Sequence, residues 1–93
     1  MEEIVPTEFQ LSQNYPNPFK ERTTIKYCVP DKVRIKVEVF DASRNNVKTI
    51  VKEIKEAGTY KVEFNAAGLP SAVYFYRLQA GDFVETKKMV LMK

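Results

Sequence analysis

Few residues in this chain have the types and spacing that chemistry needs. Histidine is absent from the 93 residues and Cys28 is the single cysteine, so no imidazole can activate a nucleophile and no disulfide can form within the chain. Ser12, Ser43 and Ser71 stand in turn-like contexts without a Gly-x-Ser-x-Gly elbow, and read as turn and capping hydroxyls. Glu38, Glu63 and Glu85 are separate carboxylates on strand-like runs. Two of them converging in space could form a glycosidase dyad, but a domain this small has little room for a cleft that seats a sugar ring. No cluster of Asp, Glu and Cys has metal-ligand spacing, and Gly58, Gly68 and Gly81 are too scattered to cradle a phosphate. The expectation is a protein that is not an enzyme, with no catalytic residue, no cofactor and no metal.

What remains is recognition. Tyr74, Phe75, Tyr76 and Phe83 could include an exposed platform for sugar stacking, or be core and sheet-face filler. Lys87, Lys88, Met89, Val90, Leu91, Met92 and Lys93 form a basic and apolar closing stretch. At a sheet edge its backbone donors and acceptors could pair with a receptor strand, with Lys87 and Lys88 restraining promiscuous pairing. It could equally be an ordinary last strand with snorkelling lysines. Fifteen Lys and Arg against twelve Asp and Glu give a net charge of +3. They are mixed along the strands rather than gathered in a stripe, so no nucleic-acid partner is expected. No apolar run approaches the roughly 20 residues that span a bilayer, so no membrane insertion is expected. Met1 to Pro6 lacks the basic and long apolar parts of a signal peptide. The domain is then either cytoplasmic or part of a longer precursor that carries its signal elsewhere.

The elements that must hold these groups are strands. A 44% hydrophobic content over this length supports one small domain near the lower limit for a core without staples. Residues 1–9 read as a linker end or a first edge strand, and residues 10–93 as the domain. In Leu11 to Phe19, Pro16 and Pro18 fix φ, remove donors and hold their preceding residues extended, which predicts a poorly paired edge with Tyr15 and Phe19 packed inward. Thr23 to Val29 alternates, with Ile25, Tyr27 and Val29 on the core face. Val33 to Val39 alternates without a fault, Arg34, Lys36 and Glu38 pointing out. Asp41 to Asn46 is a turn cluster in which Asn45 or Asn46 accepts positive φ.

Val47, Ile50, Val51 and Ile54 fall at helical spacing, yet β-branched content and the preceding turn predict a strand with a bulge near Thr49-Ile50. Tyr60, Val62 and Phe64 face inward on the next strand. Asn65 to Ser71 is a loop that could hold one short helical turn, and Val73 to Leu78 is a central strand. A tight turn at Ala80-Gly81-Asp82 leads into the last strand. Cys28 is a strand thiol that serves packing. About seven short strands without a long helix predict an all-β, antiparallel immunoglobulin-like sandwich, with a barrel as the alternative. Tyr74 could bond the Ala66 to Leu69 backbone as a tyrosine corner, or simply fill the core.

Several stretches, in order, also resemble a known family. Asn14, Tyr15, Pro16, Asn17, Pro18 and Phe19, then Thr23 to Tyr27, Gly68, Leu69, Pro70 and Ser71, Val73 to Leu78, and Lys87 to Leu91 resemble the type A C-terminal sorting domain of the type IX (Por) secretion system. That family is similar to the immunoglobulin-like domain of the flagellar hook-capping protein. The resemblance implies a secretion signal that follows a large cargo. It would be recognised from the periplasm by an outer-membrane translocon and its β-barrel shuttle protein, then removed at the cell surface by a sortase-like protease. It places recognition at Lys87 to Lys93 and a mainly structural role at the opening motif, Gly68, Leu69, Pro70 and Tyr74. A cleavage junction would fall in or upstream of Met1 to Phe9, and a sorting domain must end its precursor, as Lys93 is expected to do. The sequence departs from the family pattern in three places: Ala72 and Arg44 or Asn45 replace Gly, and Lys20-Glu21-Arg22 replaces Asn-Pro-Ser. A carbohydrate-binding or adhesion module of a secreted enzyme, or an inert spacer, are the competing readings.

Overall fold

The alternation along the chain becomes seven strands in a computed structural model that describes residues 6–93. The first five residues of the segment read as upstream linker, with any cleavage junction among them, lie outside the described residues. The strands are β1 (Gln10–Leu11), β2 (Arg22–Val29), β3 (Val33–Phe40), β4 (Asn46–Lys55), β5 (Gly58–Asn65), β6 (Ala72–Ala80) and β7 (Phe83–Leu91). They form two antiparallel sheets, β1-β2-β5 and β4-β3-β6-β7. The architecture is the expected sandwich, not the barrel. Its fourth strand joins the larger sheet, whereas the constant-type immunoglobulin arrangement puts it on the other.

The sheets close on the faces that alternation marks. Ile25, Tyr27 and Val29 of β2, Ile35, Val37 and Val39 of β3, and Tyr76 and Leu78 of β6 share one core without exposed surface. Each aliphatic side chain among them contributes about 1.5–3 kcal/mol by leaving water. Cys28 lies on the outer face of β2 between its cross-strand neighbours Gln10 and Thr59, only 9% exposed.

The uncertain stretch from Val47 to Ile54 is strand, as expected. Val51 pairs Val37 while Thr49 pairs Glu38, so Ile50 is the extra residue of a bulge. A second register shift lies between Val39 and Phe40. These irregularities let Val47, Ile50 and Val51 all pack toward the core, which accounts for spacing that mimics a helix.

Three local expectations are corrected. Tyr15 is 80% exposed. Its backbone exchanges two hydrogen bonds with Thr24, and directly paired residues project to the same side of a sheet, so Tyr15 follows Thr24 outward. Positive φ falls on Arg44, at 69°, rather than on Asn45 or Asn46. The Asp41 carboxylate accepts the N–H groups of Ser43 and Asn45, which forces the reversal onto the residue between them. Asn65 to Ser71 contains no helical turn; a single Leu69 N–H to Ala66 carbonyl bond closes it. Phe9, within the segment expected as linker, stacks on Phe83 at 5.1 Å.

Candidate functional site

β7 lies at the edge of the larger sheet, as a strand offered for recognition requires. Its odd-numbered side chains turn inward: Met89 and Leu91 are buried in the core, and Lys87 is half-buried against Glu85, with Nζ 3.4 Å from its carboxylate. Lys88 and Met92 are exposed, and Val90 is partly so. Lys87 to Lys93 is therefore half scaffold and half display.

The edge is not open along its length. The opening motif, expected to be poorly paired, crosses from the smaller sheet and clasps the end of β7. Gln13 Nε2 donates to the Lys88 carbonyl at 2.7 Å, and Val90 N–H donates to Asn17 Oδ1 at 2.9 Å. Phe19 N–H donates to the Val90 carbonyl and Met92 N–H to the Phe19 carbonyl, at 2.9 and 2.8 Å. Phe19 thus bridges Leu91 in parallel while its ring is buried edge-on to Phe64.

The clasp is held from beneath. Asn14 is 2% exposed; its Nδ2 donates to Thr23 Oγ1 at 2.9 Å and to the Pro16 carbonyl at 3.2 Å. Thr23 Oγ1 donates to that same carbonyl, and Gln13 Nε2 donates to Asn14 Oδ1. The peptide bonds before Pro16 and Pro18 are both cis. The Tyr76 hydroxyl, on central strand β6, donates to the Ser12 carbonyl at 2.6 Å and accepts from Asn14 N–H at 2.8 Å. Burial pushes the Tyr76 phenol up to about 12, although the Asn14 N–H bond works against it and Glu85 adds to it.

The Gly-Leu-Pro-Ser loop reaches the same end of β7. Gly68 has φ of 87° with open space around it, Leu69 packs against the core, and Ser71 Oγ accepts from Lys93 N–H at 3.0 Å. The Tyr74 hydroxyl donates to the Pro70 carbonyl at 2.7 Å. It makes a corner-like bond while filling the core, with Pro70 as acceptor in place of the expected Ala66 to Leu69 backbone.

Most of these residues carry a signal in the sequence, but nothing local shows that they meet. Gln13, Thr23 and Tyr76 were not singled out as clasp residues, because each reads locally as an ordinary polar or strand residue. The aromatic platform is not assembled as a set: Tyr74 and Tyr76 are buried, and Phe83 is stacked on Phe9. Among the described residues no group of three or more His, Cys, Asp or Glu side chains is placed to hold a metal ion.

A family model described as the secretion system C-terminal sorting domain matches residues 13–92. No curated protein and no solved structure matches the chain significantly. The matched span begins at Gln13, the first residue of the clasp, and ends at Met92, the last residue that it bonds.

Proposed function

Because this chain belongs to the family of secretion system C-terminal sorting domains, we propose that residues 10–93 act as a non-catalytic signal. In this reading the signal carries a large upstream cargo across the outer membrane through a type IX translocon, by way of the periplasm, to the cell surface or medium. The partners are the translocon, its β-barrel shuttle and a sortase-like surface protease acting near residues 1–9. The observation that carries this is the convergence of the opening motif and the Gly-Leu-Pro-Ser loop on the end of β7, where Gln13, Asn17, Phe19 and Ser71 all bond to residues 88–93. A spacer has no need of such a device. Lys88, Met92 and Lys93 are the side chains so displayed.

The test is a fusion of residues 1–93 behind a Sec-targeted reporter in a host with a type IX system. The reporter is expected at the surface or in the medium; an intact fusion held in the periplasm counts against the signal. Deleting Lys87 to Lys93 would remove Met89 and Leu91 from the core and unfold the scaffold. The triple substitution Lys88→Ala, Met92→Ser and Lys93→Ala spares both. It is expected to lower export while leaving the thermal midpoint near wild type. Undiminished export would remove Lys87 to Lys93 from the recognition site.

A further inference from the structure

Charges that are interleaved in the sequence separate once the strands are in register. Pairing puts Arg34 and Lys36 of β3, Lys52 of β4, Arg77 of β6 and Lys88 of β7 on the outer face of the larger sheet, with Arg44 at its rim. On those four strands the only carboxylate of this face is Glu38. It is shared by Arg77 at 2.9 Å and Lys36 at 3.6 Å, and among the described residues Arg34, Arg44, Lys52 and Lys88 make no ion pair. This face is more positive than the whole chain, whose net charge is +3, so the rest of the molecule is net acidic. Its floor is apolar: Phe40 and Phe75 are cross-strand neighbours, and the Arg77 guanidinium lies 4.7 Å over the Phe40 ring. A concavity of about 400 Å³ is lined by Phe40, Arg44, Phe75, Arg77 and Thr86.

Beside that face runs the unclasped half of β7. The clasp bonds to the outward backbone groups of Lys88, Val90 and Met92, so by alternation the N–H and C=O groups of Val84 and Thr86 and the N–H of Lys88 also point outward. No strand pairs them among the described residues. We propose that this edge and face together dock an acidic, extended segment of a partner protein, which adds as a strand beside Val84 to Lys88. The surface deepens the sorting-signal reading and rests on it for where the partner is met. Five residues of edge span about 17 Å, enough for two or three alternate side chains to project onto the basic face, about 5 Å from Thr86 and Lys88. The unpaired backbone groups select a polypeptide, and the cations select carboxylates. A nucleic acid or polysaccharide would leave the edge unmet, and a second copy would bring Lys88 against another basic face.

The probe is a synthetic eight-residue peptide of alternating Glu and Val, added to the isotopically labelled full chain. It is compared with a Lys and Val counterpart and a heparin fragment. The Glu peptide should shift the Val84, Thr86 and Lys88 amide resonances and slow their exchange; the Lys peptide should do neither. Lys52→Glu with Lys88→Glu should weaken binding roughly tenfold, since two exposed cations are reversed. Thr86→Pro removes an outward N–H, a change that an edge strand tolerates, and should abolish the protection. Silence at these amides with the Glu peptide at millimolar concentration overturns the proposal, as does binding of heparin alone or dimerisation through this edge. Export separates the two readings. If the wild-type fusion fails to leave the periplasm, the sorting-signal reading falls while peptide binding still decides the docking surface. If wild type and the Glu double variant are exported alike and the peptide fails to bind, only the docking surface falls.

Discussion

Replacing Tyr76 with Phe removes one oxygen atom and strands two backbone groups, one buried and one part-buried. The hydroxyl satisfies the Ser12 carbonyl and the Asn14 N–H, and the residue has no exposed surface. Phenylalanine keeps the ring volume, so the loss is polar rather than a cavity. An unsatisfied buried group costs about 1–3 kcal/mol, and slight opening of the clasp lets water reach one of the two, which gives an expected total of about 2–4 kcal/mol. For a domain of this length each 1 kcal/mol moves the thermal midpoint by about 4–8 °C, so a fall of roughly 8–32 °C is expected. Tyr74→Phe is the matched control: it frees one part-buried carbonyl, that of Pro70, at about 1 kcal/mol. Urea unfolding followed by circular dichroism measures both. Amide exchange gives the local readout, because Val90 and Met92 donate to Asn17 and Phe19 and should exchange faster in Tyr76→Phe while Leu78 changes only with global stability. Equal losses in the two variants, or unaltered Val90 and Met92 protection, would refute Tyr76 as the anchor of the clasp.

Alkaline stability should follow two phenols. Burial raises both Tyr27 and Tyr76 from 10.0 to about 12, so the unfolded chain loses protons first. Stability is full below pH 10 and falls between pH 10 and 12, by up to about 1.4 kcal/mol per pH unit per tyrosine; a flat urea midpoint from pH 9 to 11 would contradict this. Glu38 contributes on the acid side: burial works to raise its carboxyl, but the Arg77 hydrogen bond and the charges of Lys36 and Arg77 outweigh it and hold it below the usual range. Its contribution is complete above the unfolded value and is lost as pH falls through the folded one. Glu38→Gln should therefore cost about 1–2 kcal/mol at pH 7, its cationic partners being a third exposed, and flatten that acid limb. Gly81→Ala puts a Cβ 3.3 Å from Val33 Cγ2 at φ of 59° and should cost about 1–3 kcal/mol, checked by the same unfolding curve.

The sandwich was legible because alternation is a local signal. Val33 to Val39 reads as a half-buried strand from its own residues, and the structure places it so. The bulge near Ile50 was legible from conflicting local signals: helical apolar spacing in a β-branched segment that follows a hairpin-like turn implies a strand that changes face. Tyr15 was misread because its orientation depends on Thr24, a pairing that hydrophobicity does not encode. The clasp was hidden by distance, since Gln13 meets Lys88 across 75 positions and Asn14 meets Tyr76 across 62. The basic face was hidden by register: Lys36 and Glu53 look interspersed in the sequence, but pairing with Ile35 sends Glu53 to the opposite face.

This geometry places different demands on the opening motif and the closing strand. A strand such as Lys87 to Lys93 needs only alternating apolar side chains to hold its place, and many sequences supply them. The clasp has narrower demands. Asn14 must fit a buried site with four hydrogen-bonding contacts, Asn17 must present an oxygen to the Val90 N–H, and Phe19 must fill a core position while its backbone bonds on both sides. Loss of the motif and loss of the closing strand are therefore one structural lesion reached from opposite ends. Large deletions at either end would fail alike, through the scaffold. The exposed side chains of Lys88 and Met92 stand outside that shared dependence, and substitutions there read recognition apart from folding.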